Sequence, residues 1–416
     1  MFGLLGKRLS HSFSKEIHES FGGSYALFET DDLRKFFKTT NFQGLNVTIP
    51  YKQDVIDFCD VIDPTVRRTN SCNTIVRKDD SLYAYNTDYD GFLSSLKEHH
   101  ISFKDETIAL IGNGATSRTI QAVANDLNAG KVSIFARHPK PGEYALHTLE
   151  GHKDISILVN ATPVGMYPNV EEHFSFDIKN IDALHTVIDV IYNPLRSRLL
   201  LAAKEQNLQT MNGLYMLVSQ AATSHALFHQ KKLSKKDIDS LYRKLRKKHS
   251  NIVFIGMPKS GKSLYSKIYA NKHGKAHYDT DTMFEKRMNM SISEYFASYD
   301  ESLFRKEETL ILKELSPRKG IVISTGGGVI LSKENIRALK QNGVLVFIDA
   351  PLPLLKRTRD SSARPLLKDH KALDELYRQR HRLYLSAVDI VLEKKSLDTQ
   401  TTINALEVLI HEYFGA

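Results

Sequence analysis

TIALIGNGATSR at 107–118 and NIVFIGMPKSGKS at 251–263 are the two stretches that decide the fold. Each is an apolar run that ends on a glycine-bearing turn and continues into a helical pattern, SRTIQAVANDL (117–127) or SLYSKIYANKH (263–273). Strand, tight turn and helix in that order put free backbone amides at a helix start, where they and the helix dipole attract a phosphate. Two such elements imply two separate nucleotide sites. Around them apolar runs alternate with helical patterns, as in parallel sheets covered by helices, so the expected class is α/β.

At about 100 to 200 residues per domain, a chain of 416 residues predicts two to four domains, each able to bury a core. Apolar residues make up 41% and charged residues 25%, which excludes a disordered chain. Two cysteines, Cys59 and Cys72, cannot supply a disulfide framework, and a reducing cytoplasm is expected. No apolar run approaches the roughly 20 residues of a membrane helix, and MFGLLGKRLSHSFS has no basic leader, so neither export nor anchoring is expected.

The formal charge of +9 is concentrated in KKLSKKDIDSLYRKLRKK (231–248), where nine basic residues stand against two acidic ones. Ile238, Leu241, Tyr242 and Leu245 follow helical spacing there. A packed helix with a solvated basic face is expected, against the alternative of a nucleic-acid or membrane contact. The clearest boundary falls next, near Lys248 to Asn251. The first half divides again, giving residues 1–101 plus 212–248, residues 102–211, and residues 249–416.

In the first phosphate turn Gly112 and Gly114 let the backbone approach a pyrophosphate, with Ala115 at the helix start, although Ser117 replaces the third glycine of a dinucleotide fingerprint. The next strand, KVSIF, decides which dinucleotide. An NAD site usually has an acidic residue at its end for the ribose hydroxyls, whereas here Ala136 is followed by Arg137, His138, Pro139 and Lys140. Arg137 and Lys140 suit a 2′-phosphate, so NADP is expected; the plain alternative is an ordinary solvated loop.

The second turn fits GxxxxGK[ST] through Gly256, Gly261, Lys262 and Ser263. Such a loop surrounds the β-phosphate with amides, offers Lys262 to the β and γ oxygens and presents the Ser263 hydroxyl to Mg²⁺. About 166 residues follow the boundary, with DTD at 279–281 and no obvious guanine-recognition motif, which favours a compact small-molecule kinase over a motor or a GTPase.

Further motifs make the resemblance specific. Residues 1 to about 248 resemble shikimate dehydrogenase: SHSFS (10–14), NVTIPYK (46–52), CNT (72–74), NTD (86–88), VNATPVGM (159–166) and GLYMLVSQA (213–221). Residues 251–416 resemble shikimate kinase: DTD, ESLFRKEE (301–308), STGGG (324–328), RTRDSSARPLL (357–367) and RHRLY (380–384). The resemblance implies a substrate-gripping α/β domain with a Rossmann NADP domain, followed by a P-loop kinase domain with a central parallel sheet.

It also implies roles. Lys52 and Asp88 match the dehydrogenase's catalytic pair. Ser12, Ser14 and Tyr192 would hold the substrate carboxylate, and Thr48, Asn73 and Gln220 the ring hydroxyls. Asn160 to Met166 would form the turn beside the nicotinamide, with Gly213 also at the cofactor. In the kinase, Asp279 would support the metal's water shell with Ser263 as ligand, and Asp281 would bind acceptor hydroxyls as candidate base. Arg305 and Arg380 would hold a carboxylate beside Gly326, Gly327 and Gly328. Arg364 would sit on a closing lid over the transferring phosphoryl group, and Arg357 would flank adenine.

The implied function is reduction of 3-dehydroshikimate with NADPH, then phosphorylation of shikimate with ATP and Mg²⁺. A quinate-active NAD-linked dehydrogenase joined to a related kinase is a second reading, opposed by Arg137. A catalytically silent metabolite sensor is a third, opposed by Lys52, Asp88, Lys262 and Asp281. Partners are expected to be small molecules, not nucleic acid or membrane, and a homo-oligomer stays open.

Overall fold

The computed structural model describes residues 1–9, 12–357 and 370–415. The chain divides into two compact units, Met1–Tyr192 with Ser197–Tyr242, and Asn193–Arg196 with Arg243–Ala416. Among the described residues three sheets organise them.

The first sheet holds β1 (Phe2–Gly6), β2 (Tyr25–Glu29), β3 (Gly44–Val47), β4 (Val61–Ile62), β5 (Thr74–Lys78) and β6 (Ser81–Tyr85), in the order β2-β1-β3-β5-β6-β4. It is mixed: β1 runs parallel to β2 and β3, while β5 runs antiparallel to both β3 and β6. The second holds β7 (Thr107–Ile111), β8 (Lys131–Ala136), β9 (Tyr144–Ala145), β10 (Ile157–Asn160), β11 (Thr186–Asp189) and β12 (Gln209–Asn212), ordered β12-β11-β10-β7-β8-β9. All its pairings are parallel.

The third sheet, in the second unit, holds β13 (Asn251–Ile255), β14 (His277–Asp279), β15 (Val322–Ser324), β16 (Gly343–Asp349) and β17 (Ile390–Glu393). Its order is β14-β15-β13-β16-β17, again all parallel. Alternate residues of one strand serve different cores: Val253 and Ile255 pack with Leu345 and Phe347 on one face, Ile252 and Phe254 with Val344 and Val346 on the other. That is why these strands read as continuous apolar runs. Each fully buried side chain such as Phe254 stabilises the fold by about 1.5–3 kcal/mol.

In both all-parallel sheets the crevice lies where the strand order reverses, beyond the carboxyl ends of neighbouring strands. In the second sheet those neighbours are β7 and β10; in the third, the turn follows β13, which is flanked by β15 and β16. Each glycine-bearing turn follows the central strand at that point. The basic segment forms the helix Lys235–His249, with Leu241 and Leu245 buried, as its spacing predicts. Among the described residues no helix is long and apolar enough to cross a membrane.

Candidate functional site

In the first unit, Lys52 follows β3 and Asp88 opens the helix Thr87–Glu98, where a carboxylate is favoured by the helix dipole. Lys52 Nζ donates to Asp88 Oδ2 at 2.6 Å, and the two side chains are 12% and 9% exposed. Asn73, just before β5, donates from Nδ2 to Asp88 Oδ1 at 2.8 Å and to Gln220 Oε1 at 3.3 Å. Gln220 arrives on the helix Leu214–His229, which comes close because Gly91 faces it with no side chain. Lys52 and Asn73, and Gln220 through Asn73, thus gather at the Asp88 carboxylate from widely separated motifs.

Two groups that sequence reasoning passed over complete this cluster. Thr87 lies within the quoted NTD motif; its amide donates to Asn73 Oδ1 at 2.7 Å. Ser224, one helical turn beyond Gln220, lies 2.9 Å from the hydroxyls of both Thr74 and Thr87. The NTD triplet was the available signal for Thr87, whereas nothing local marks Ser224.

Ser12 and Ser14 share a hydrogen bond at 3.0 Å at the start of the helix Ser14–Phe21. Between them Phe13 packs 5.1 Å from the Tyr192 ring, so the groups expected at a substrate carboxylate are neighbours. Burial pushes the Tyr192 phenol up to about 12, keeping it a neutral hydrogen-bond donor. Thr48, half-buried, is fixed by its amide bond to Leu5 at 2.9 Å.

At the end of β7, Gly112 takes φ 101°, and a Cβ there would meet Thr162 Cγ2 at 2.7 Å. Gly114 caps the helix Ala115–Asp126 and faces open space, so a pyrophosphate can approach the first amides. Ser117, in place of a third glycine, turns its hydroxyl back onto the Gly112 carbonyl at 2.5 Å. Arg137 and Lys140 are exposed, and neither side chain has a partner among the described residues. The loop carrying them is braced by Glu143, which accepts from Asn113 Nδ2 and from the Lys140 amide, both at 2.8 Å. These features fit a phosphorylated dinucleotide.

Asn160 ends β10 and accepts from the Thr162 amide at 2.9 Å, forming the turn that leads to the partly exposed Met166. Gly213 caps the helix Leu214–His229 and donates to the Ile191 carbonyl at 3.0 Å.

In the second unit, Gly256 and Gly261, at φ 151° and 99°, bound the loop between β13 and the helix Lys262–Lys272. Lys262 Nζ donates to the carbonyls of Gly256 and Met257 at 3.0 and 3.1 Å, so the ammonium is held within the loop. Ser263 Oγ donates to Asp279 Oδ2 at 2.7 Å, while Asp279 Oδ1 accepts from the amides of Asp281 and Thr282. A hydroxyl and a fixed carboxylate at a phosphate loop fit Mg²⁺, which keeps several waters and shares nucleotide phosphates. Among the described residues no group of three His, Cys, Asp or Glu would hold a metal unaided.

Beside this loop, Arg305 binds Glu301 at 2.8 Å and Glu308 at 2.9 Å. A Cβ on Gly328 would collide with Arg305 Nη2, so the guanidinium occupies the space that a side chain would fill. Arg380 donates to the Gly327 carbonyl at 3.0 Å, and its buried Nε has no partner among the described residues. Burial and, next, the neighbouring ion pair act in opposite directions on Glu308, and its carboxyl ends above the usual range. Gly326 adjoins this group: a Cβ there would stand 2.8 Å from Asp281 Oδ1 and 3.1 Å from Glu308 Oε1. Glu308 is the residue sequence reasoning missed, although ESLFRKEE contains it. Arg357 is exposed at the end of the helix Leu352–Arg357, and Arg364 lies outside the described residues.

Comparison with known proteins divides along the same chain. Residues 4–75 match the family model for the shikimate dehydrogenase substrate binding domain, and residues 258–409 match that for shikimate kinase. The shikimate dehydrogenase (NADP(+)) of Clostridium beijerinckii is 34% identical over 261 residues, spanning 58% of this chain and 96% of that protein. The protein of the same name from Clostridium perfringens (strain ATCC 13124) is 31% identical, spanning 59% and 98%. Among solved structures, a chorismate mutase/shikimate 5-dehydrogenase fusion protein from Clostridium acetobutylicum superposes with a TM-score of 0.57 at 30% identity, covering 59% of this chain and 97% of that one. Shikimate 5-dehydrogenase from Thermus thermophilus, in complex with NADP(H) and shikimate, gives 0.52 at 26% identity, covering 58% and 98%.

Proposed function

The chain belongs to the shikimate dehydrogenase family and carries a shikimate kinase domain, and on that premise we propose that this bifunctional shikimate-pathway enzyme performs two consecutive reactions on one ring. The first unit reduces 3-dehydroshikimate to shikimate with NADPH. The second phosphorylates shikimate with ATP to shikimate 3-phosphate. Residues 1–101 plus 212–248 would grip the first substrate, residues 102–211 the dinucleotide, and residues 249–416 would act as the kinase.

NADPH, when bound, supplies the hydride. What the chain supplies is positive charge and a proton at the carbonyl oxygen as it becomes an alkoxide. Lys52 is the donor, and Asp88 orients it through the 2.6 Å contact while Asn73 holds the other carboxylate oxygen. Asn73, Gln220 and Thr48 take the ring hydroxyls; Ser12, Ser14 and Tyr192 take the carboxylate. Arg137 and Lys140 select the 2′-phosphate.

In the kinase, Mg²⁺ when bound draws the nucleotide's phosphate charge together. Ser263 and Asp279 would hold it and its water. Asp281 accepts the proton of the acceptor hydroxyl as its oxygen bonds to the γ-phosphorus, and ADP leaves with the electron pair of the broken P–O bond. Arg305 and Arg380 fix the acid's carboxylate against Gly326 to Gly328. Arg364 would neutralise charge on the transferring group.

The observation that carries this reading is the Lys52–Asp88 pair, largely shielded from solvent and held by Asn73 and its neighbour Gln220. Its partners are then small molecules, and the free thiols of Cys59 and Cys72 accord with the reducing cytoplasm proposed as its location. The deciding experiment supplies 3-dehydroshikimate, NADPH, ATP and Mg²⁺ and follows shikimate and shikimate 3-phosphate separately. Failure to form either product ends the corresponding half of the proposal.

A further inference from the structure

Next to the phosphate loop stands a second lysine that none of the sequence motifs includes. Lys394 directly follows β17 and is only 5% exposed. Its Nζ donates to the Ser260 carbonyl at 3.2 Å and lies 5.2 Å from the centroid of the Tyr265 ring. The same nitrogen is 3.5 Å from the position a Cβ on Gly261 would take. Among the described residues no carboxylate pairs with it; the nearest acidic neighbour in sequence, Glu393, pairs instead with Lys395 at 3.6 Å.

A buried ammonium without an opposite charge is unfavourable unless something compensates it. One carbonyl and one ring face are weak compensation for a full positive charge. Lys262, also buried, brings a second ammonium to the same loop. Lys262 holds its ammonium on the Gly256 and Met257 carbonyls and Lys394 on that of Ser260, so an anion gathered at this loop is attracted by both charges. Ser260 adds a further sign of an incomplete environment: it is fully buried, and its hydroxyl has no partner among the described residues.

We propose that Lys394 is a positioning residue for the nucleotide. It fixes the Ser260 carbonyl, and with it the course of the loop into Gly261, and its charge is balanced by the phosphates of a nucleoside di- or triphosphate. This rests on the reading of the domain as an ATP-using kinase. It goes beyond that reading in assigning the loop a buried cation besides Lys262, contributed from the edge strand of the sheet.

The test uses the full chain and three variants, Lys394→Met, Lys394→Gln and Lys394→Arg, with ADP and adenosine as probes in a calorimetric titration. Methionine removes charge and hydrogen bond, glutamine removes only the charge, and arginine keeps both. Loss of the charge is expected to weaken ADP binding about tenfold in both Met and Gln variants, with adenosine binding changed less than about twofold. Lys394→Arg is expected to recover most of the ADP affinity. In steady state the KM for ATP rises while the KM for shikimate and the dehydrogenase rate, measured on the same molecules, stay unchanged.

ADP affinity unaltered in Lys394→Gln overturns the charge assignment, and this variant decides the matter if Lys394→Met fails to fold. Equal weakening of ADP and adenosine overturns it as well, because that pattern reports general loss of the pocket. Wild-type protein that binds ADP yet never phosphorylates shikimate refutes the kinase reading while leaving the Lys394 result interpretable; wild-type protein that binds no ADP refutes both.

Discussion

Asn160 donates from Nδ2 to Asp189 Oδ1 at 3.0 Å, and through this bond two functional segments share one buried carboxylate. Asp189, at the end of β11, has no exposed surface. It also accepts from the Ile191 amide at 3.1 Å and from the Ser197 hydroxyl. The turn leading to Met166 and the segment leading to Tyr192 are therefore anchored at the same point.

Asp189→Ala would leave three buried donors without an acceptor, and a loss on the order of 3–5 kcal/mol is expected. Asp189→Asn keeps an acceptor oxygen and presents an amide that Ser197 can accept, so it should cost about 1 kcal/mol or less. Denaturant unfolding followed through the first unit checks the ordering; equal losses in the two variants would contradict this account.

The same carboxyl predicts a pH dependence. Burial is the largest influence and lifts it to about 7, with the bonds from Ser197, Ile191 and Asn160 pulling the other way. The unfolded value is about 3.9, so the folded state holds the proton more tightly. Its stability contribution is thus fully present below about pH 4 and is lost as pH rises through about 7. Compared at pH 5 and pH 8, the wild type should lose more stability than Asp189→Asn, in which this group no longer titrates. Parallel pH profiles would remove Asp189 as the cause.

Lys52→Ala should lower the reduction rate by about 10²- to 10⁴-fold, the usual range for a positioned proton donor, while leaving phosphorylation intact. Lys262→Ala should do the converse. Separate assays of the two products check both, and loss of both activities in either folded variant would contradict independent sites.

Arg137→Ala should raise the KM for NADPH by roughly tenfold or more, since a charge-assisted phosphate contact is removed, and leave the KM for NADH nearly unchanged. An equal change for the two cofactors would show that the exposed arginine does not read the 2′-phosphate.

Gly328→Ala places a methyl group where the Arg305 guanidinium now lies. The kinase should lose at least about tenfold in kcat/KM for shikimate, with the ATP KM little altered, if Arg305 fixes the acceptor's carboxylate. Unchanged shikimate kinetics would detach Arg305 from the acceptor.

The α/β class and both phosphate turns were legible in the sequence because their geometry is local. A strand ending at Ile111 or Ile255, a glycine turn and a following helix lie within a few residues of one another, so spacing alone sets where the amides point. The basic segment was legible too, since Leu241 and Leu245 carry the helical period themselves. Ser117 shows a limit of motif reading: it departs from the glycine pattern, and its bond to Gly112 emerges only when the turn is seen.

What only the tertiary structure decided is the set of contacts between residues far apart along the chain. Gln220 reaches Asn73 across 147 positions, and Lys394 reaches Ser260 across 134. Neither Lys394 nor Asp189 belongs to a phosphate-turn motif, and their meaning comes from burial: a charge on the surface is solvated and says little, whereas the same charge without water must find a partner. Residue type and spacing carry the first kind of information, while burial and its required compensation exist only once the sheets have packed.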